Sequence, residues 1–233
     1  MSIENVFLRP PKAFELFEES ARRGMFLEFG SDFNTFRDIL RDERSTQVGP
    51  PFDPELHELS EENAFWIIGR TAEGKIAHTQ AIRLFQLGKR RLGDWLTECF
   101  RDFPPVGLDL DMAASGFRAG PGSRRMSGRV CYHGEMWLDA NAGEFRGKGV
   151  SALMTRVGFL AALNHFAPDH IFAFMAAPVA FKGLPQRAGF LHTEPASLSW
   201  KLAQKDVALQ GFMAYNSRED MRYLLRLPMD IVA

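Results

Sequence analysis

Tyrosine is nearly missing from this chain, at 3 residues against 21 phenylalanines. Phenolic hydroxyls are therefore scarce wherever a reaction needs a proton donor. Cysteine is scarcer still: Cys99 and Cys131 form neither a disulfide framework nor a metal-ligand spacing, which fits a reducing compartment. An excess of either charge is missing as well. The net charge of −1 excludes the global basic field that draws proteins onto nucleic acid. No apolar stretch approaches the roughly 18 residues of a membrane span. The opening "MSIENVFLRPPKAFELFEES" lacks the basic region and apolar run of a secretory signal. The expected compartment is the cytoplasm, without membrane or nucleic-acid partners, and neither internal repeats nor low-complexity tracts interrupt the chain.

What is present suits a core. With 45% hydrophobic and 24% charged residues over 233 positions, the chain fits one enlarged domain. Residues 12–23 carry Phe14, Phe17 and Ala21 at helical spacing. A second helical pattern places Phe33, Phe36, Ile39 and Leu40 on one stripe, with Asp32 available as its cap. After a Pro-rich acidic connector, 65–70 and 75–85 read as strands joined by a hairpin at Glu73-Gly74. Residues 88–127 hold a short helix, then a stretch rich in Gly, Ser and Pro whose length marks function or disorder. Beyond it, 129–138 reads as a strand, 150–164 as a helix and 170–177 as a strand. "PVAFKGLPQRAGF" forms a short helical segment with a turn, "ASLSWKLA" another strand, and the tail from Asp206 is mixed. This order predicts a mixed α/β layer.

The stretch "EFRGKGVSALMTR" (144–156) concentrates the chemistry. Val150, Leu153, Met154, Val157 and Leu160 recur at helical steps, predicting one buried face, with Ser151, Thr155 and Arg156 on others. The first amides of that helix lack internal partners, and the helix dipole makes them electropositive. Gly147 and Gly149 clear the side chains that would keep a ligand away, while Arg146 and Lys148 add cationic donors. Strand, turn and helix together make an anion cradle suited to phosphate. A nucleotide-triphosphatase loop is excluded: only three residues separate Gly143 from Gly147, and Gly149 stands where a Ser or Thr should hold magnesium.

"RGKGVS" instead resembles the Arg/Gln-x-x-Gly-x-Gly/Ala signature of the Gcn5-related N-acetyltransferase (GNAT) superfamily, with Arg146 and Gly149 in register and Ser151 at the last small position. The likeness covers roughly 62–200, and most specifically 129–190, where "CYHGEMWL" precedes the turn and "FKGLPQRAGF" is similar to the family's short helix ending in Gly-Phe. It implies a mixed, mostly antiparallel twisted sheet flanked by helices. The chain then divides into a helical N-terminal part (1–60), a core (62–200) carrying an insertion (88–127), and a C-terminal extension (201–233). The resemblance also implies acetyl-coenzyme A as co-substrate without a metal. Main-chain amides of Arg146, Gly147, Lys148, Gly149, Val150 and Ser151 would hold the pyrophosphate, and Trp137 and Leu138 would line the pantetheine slot.

Acyl transfer to an amine needs a base. If 129–138 is extended without a bulge, Cys131, His133, Glu135 and Trp137 share one face, and His133 and Glu135 stand roughly 7 Å apart. The resemblance makes Glu135 the first candidate. His133 is the second, since its ordinary pKa lies near neutrality. A bulge, which the resemblance also implies, would re-aim the residues beyond it. Cys131 has no partner base at a spacing that marks a nucleophile. The tyrosine that family members place before Gly-Phe as acid is replaced by Pro185. Lys89-Arg90-Arg91 and Arg124-Arg125 read as solvated surface or as contacts to phosphate or acceptor, and the insertion at 88–127 as the place of acceptor recognition. The expected function is N-acyl transfer to a small-molecule or peptide amine, with a homodimer compatible. Two rivals stand beside it: a non-catalytic acyl-coenzyme A sensor, and a transferase using longer acyl or aminoacyl groups.

Overall fold

The computed structural model describes residues 11–139, 145 and 149–228. In chain order these form α1 (Pro11–Arg22), β1 (Phe26–Gly30), α2 (Phe33–Arg44), β2 (Ala64–Arg70), β3 (Ile76–Gly88), α3 (Leu92–Cys99) and β4 (Leu110–Phe117). There follow β5 (Gly128–Leu138), α4 (Val150–His165), β6 (His170–Ala176), the single turns α5 (Ala177–Ala180) and α6 (Leu184–Arg187), β7 (His192–Leu202), β8 (Ala208–Ser217) and α7 (Arg218–Arg226). Among the described residues no helix is long and apolar enough to cross a membrane.

The strands make one sheet in the order β1-β2-β3-β5-β6-β8-β7-β4. Every neighbouring pair is antiparallel except β5 and β6, which run parallel around the α4 crossover. The mixed, mostly antiparallel sheet flanked by helices is thus the fold that the sequence implies. Local chemistry explains its helices. The Asp32 carboxylate caps α2 by accepting from the Asn34 amide at 2.9 Å and the Thr35 hydroxyl at 2.7 Å. In α7, Ser217 and Asp220 form a reciprocal capping box.

Three layers result. One sheet face packs on α1, α4 and α7 through Leu16, Leu153, Val157, Met221 and Leu224. The other is covered in two parts. Phe33, Phe36 and Leu40 of α2 lie over β2 and β3. Leu92 and Leu96 of α3, with Phe103, lie over β5, β6 and β8. The expectation that α4 buries one face needs correction: from Ala152 to Ala162 every residue is buried, Thr155 and Arg156 included. The sheet, α1 and α7 enclose this helix, as a nearly all-round apolar helix requires. Arg156 reaches the Leu227 carbonyl at 3.2 Å.

The insertion crosses to the far side of the molecule, where β4 adds an edge strand beside β7. Its return is pinned by one buried carboxylate. Glu194 on β7 accepts from the Gly122 and Ser123 amides of the turn after β4. Arg91 donates to the Arg125 carbonyl at 2.8 Å and Arg90 pairs with Glu98, so these cations help hold the insertion itself. Glu194→Ala leaves the two amides without their acceptor and is expected to cost about 2 kcal/mol, read from urea unfolding. An unchanged midpoint would contradict this role.

Candidate active site

The site begins where pairing fails. β5 and β6 are in register only at Val130–His170, Cys131–Ile171 and Tyr132–Phe172. Beyond that point β5 stays bonded to β3 and β6 to β8, while a cavity of about 310 Å³ opens between the two strands. Residues 132–136 of β5 and 173–175 of β6 line it, with Val179 and Leu184 at its side. Each strand thus presents one edge of main-chain donors and acceptors to the gap. Such edges need partners, and an extended ligand carrying its own amides would complete the ladder.

A bulge makes the parting. Opposite β3, Ala81 faces Gly134 and Thr79 faces Trp137, so β5 carries one residue more than its partner across this step. Glu135 takes the strained conformation, at φ +53°. The Thr79 hydroxyl donates to its carbonyl at 2.8 Å, satisfying a group that the ladder leaves free. Gly134 is required beside it: a Cβ there would lie 2.6 Å from the Phe52 ring and 2.7 Å from that of Tyr132.

The bulge corrects the single-face expectation. His133 points towards α4, with Nε2 2.7 Å from Gln80 Oε1, while the Gln80 amide donates to the Met154 carbonyl at 2.8 Å. That chain assigns the imidazole proton to Nε2. Glu135 instead faces the α2 side, where Oε1 accepts from the Gly49 amide at 2.8 Å. Trp137 also lies on that side, with the Arg44 guanidinium 4.0 Å from its ring centroid. Leu138 packs with Met136 against the α4 side.

Electrostatics separates the two candidate bases. Burial, with His78 nearby, lowers the His133 pKa to about 3, so the imidazole is neutral and weakly basic at neutral pH. Burial raises the Glu135 pKa, only partly opposed by the Gly49 amide and Arg44. A carboxylate so placed is a stronger base than an exposed one. Burial also raises the Cys131 thiol, which leaves it protonated and unsuited to nucleophilic work.

One residue was missed from the sequence. Tyr132 lies at the cavity wall, its ring stacked on Phe52 at 5.6 Å and edge-on to Phe103 at 4.9 Å. Burial, then the nearby Glu135, raise its pKa, so the phenol keeps its proton and remains a donor. With 3 tyrosines in the chain, the one on the strand before the glycine turn is the available signal.

The turn itself is described only in part. Arg146, Gly147 and Lys148 lie outside the described residues, whereas Phe145 is buried in the core. Gly149 stands at the N-cap of α4 at φ +65°, a conformation that suits glycine, and among the described residues no side chain caps the helix. Val150 is buried and Ser151 half-buried in the first turn. Among the described residues, no side-chain acceptor caps the amides that open α4.

No protein-family model matches the chain, and no curated protein matches it. Solved structures do align over most of its length. NAA60 of Arabidopsis thaliana, in complex with acetyl-CoA, is 10% identical, with 83% of this chain and 99% of that one covered and a TM-score of 0.44. Spermidine N-acetyltransferase from Vibrio cholerae, with CoA and spermine, is 7% identical over 84% and 98%, at 0.43. Aminoglycoside acetyltransferase AAC(6')-Ib, with coenzyme A and kanamycin, is 13% identical over 85% and 98%, at 0.42.

Glu135 makes stability depend on pH in a definite direction. Its folded-state pKa lies above the ordinary 4.5, so the carboxyl contributes stability that is full below that value and is lost as pH rises through the folded pKa. Glu135→Gln keeps an acceptor for Gly49 but cannot ionise. Compared by urea unfolding from pH 4 upward, the variant should gain on the parent protein as pH rises. Parallel curves would contradict the assignment.

Proposed function

We propose that the chain is an acyl-coenzyme A-dependent N-acyltransferase of the GNAT type, acting on a small-molecule or peptide amine in the cytoplasm. The observation that carries this reading is the parting of β5 and β6 at the Glu135 bulge, on the strand that precedes a helix whose N-cap residue, Gly149, has no side chain to cap it. "RGKGVS" supplies the resemblance that names the ligand. The amides of Val150 and Ser151, with those of Arg146, Gly147, Lys148 and Gly149, are the proposed diphosphate cradle. Pantetheine carries two amides, and the free edges of β5 and β6 offer them hydrogen bonds, with Trp137 and Leu138 at the far end of the slot.

Glu135 is the proposed general base. Its carboxylate first takes the extra proton from the substrate ammonium, directly or through one water, and the freed lone pair of the neutral amine then adds to the thioester carbonyl. The tetrahedral adduct collapses with cleavage of the C–S bond, and no covalent enzyme intermediate is required. Pro185 sits buried in the first turn of α6 and has no hydroxyl to give. Tyr132, protonated beside Glu135, is the donor available to the departing thiolate. His133, neutral and tied to Gln80, positions the strand.

Pro185 also motivates a second reading, a module that binds acyl-coenzyme A without turnover. Free-thiol release from acetyl-coenzyme A across an amine panel separates the two. The enzyme reading expects amine-dependent release, and in Glu135→Gln a fall in kcat of roughly 100-fold or more with KM for the thioester little changed. Tight coenzyme A binding with no release for any amine would favour the sensor.

A further inference from the structure

A second cavity, of about 210 Å³, adjoins the cleft on the side of the sheet covered by the insertion. Tyr132, Phe174 and Met175 belong to both cavity walls, so only these side chains stand between the two spaces beside the bulge in β5. Phe103, which follows α3 in the insertion, closes one side. Leu198 and Trp200 of β7 and Leu209 of β8 close the others. Apart from the Tyr132 phenol, no ionisable side chain among the described residues lines it. Phe103 is wedged edge-on between Tyr132 and Phe174, at 4.9 and 5.6 Å, and Phe100 packs on Trp200 at 5.5 Å.

We infer that this cavity receives the alkyl part of the acyl group, so that the preferred donor is a medium-chain acyl thioester rather than acetyl. The inference rests on the acyl-coenzyme A reading and deepens it. A protonated amine arriving from water is best received by a carboxylate along its path, and among the described residues none lines this cavity, whose polar side chains are Tyr132 and Gln210. An alkyl chain needs only apolar walls. The thioester carbonyl, held at the bulge beside Glu135, would direct its chain past Tyr132 into the space behind. Capacity sets the length. A dry cavity of about 150 Å³ holds benzene, with six heavy atoms, so the observed volume takes roughly eight. The insertion is thereby assigned to the donor side of specificity, since Phe103 closes the chain's end of the site.

Calorimetric titration of the full chain with coenzyme A and its acetyl, hexanoyl, octanoyl and dodecanoyl thioesters tests this. Each buried methylene is worth about fourfold in affinity. Six methylenes separate acetyl from octanoyl, so the expected series rises on the order of a thousandfold between them and gains nothing further at dodecanoyl. Leu209→Trp, at a half-exposed strand position on the cavity wall, is expected to abolish that rise. Equal affinity for coenzyme A, acetyl and octanoyl forms overturns the chain cavity while leaving the coenzyme A cleft standing. A rise that continues through dodecanoyl, or one that persists in Leu209→Trp, places the chain elsewhere and likewise overturns it. Binding of none of the five overturns both readings together.

Discussion

Everything distinctive about this molecule follows from one extra residue in β5. A strand that continued in register past Tyr132 would pair with β6 to its end and close the sheet. Glu135, at φ +53°, prevents that. The strain of such a conformation is of order 1–3 kcal/mol, and it persists because the surroundings determine it completely. The Thr79 hydroxyl takes the stray carbonyl, Gly134 makes room for two aromatic rings, and Gly49 binds the carboxylate. A buried polar row on the opposite face, from His133 through Gln80 to α4, fixes the strand from behind.

The same bulge sorts the ionisable groups. On the α4 side, burial leaves His133 neutral and held in one tautomer. On the α2 side it gives Glu135 an acceptor role next to a phenol that stays protonated. The proposed base and donor therefore stand on the face that also carries the apolar cavity. Donor, acceptor and anion would thus approach along different routes, which suits a direct transfer between two bound molecules.

The sequence announced α1, α2, α4 and the hairpin well, because their signals are local. Asp32 before Phe33, the 3–4 spacing in 150–160 and Glu73-Gly74 each act within a turn or two. Strands β1, β4 and β8 and helix α7 were not legible. β4 carries exposed and half-buried residues on an outer edge, and β8 takes its place between β6 and β7 only through pairings distant in the chain. The full enclosure of α4 was hidden for the same reason: Thr155 and Arg156 look like surface residues until α1 and α7 are in place. At the site, the alternation rule joined His133 to Glu135 and failed at the bulge, where no turn residue besides Gly134 betrayed it. Tyr132 was overlooked because the family pattern directs attention to the position that Pro185 occupies.

The most direct measurement is a crystal structure of the chain grown with coenzyme A. The account predicts pantetheine extended between β5 and β6, its amides bonded to the free strand edges, and the diphosphate against the amides that open α4. A closed gap between those strands with the ligand bound elsewhere would contradict it.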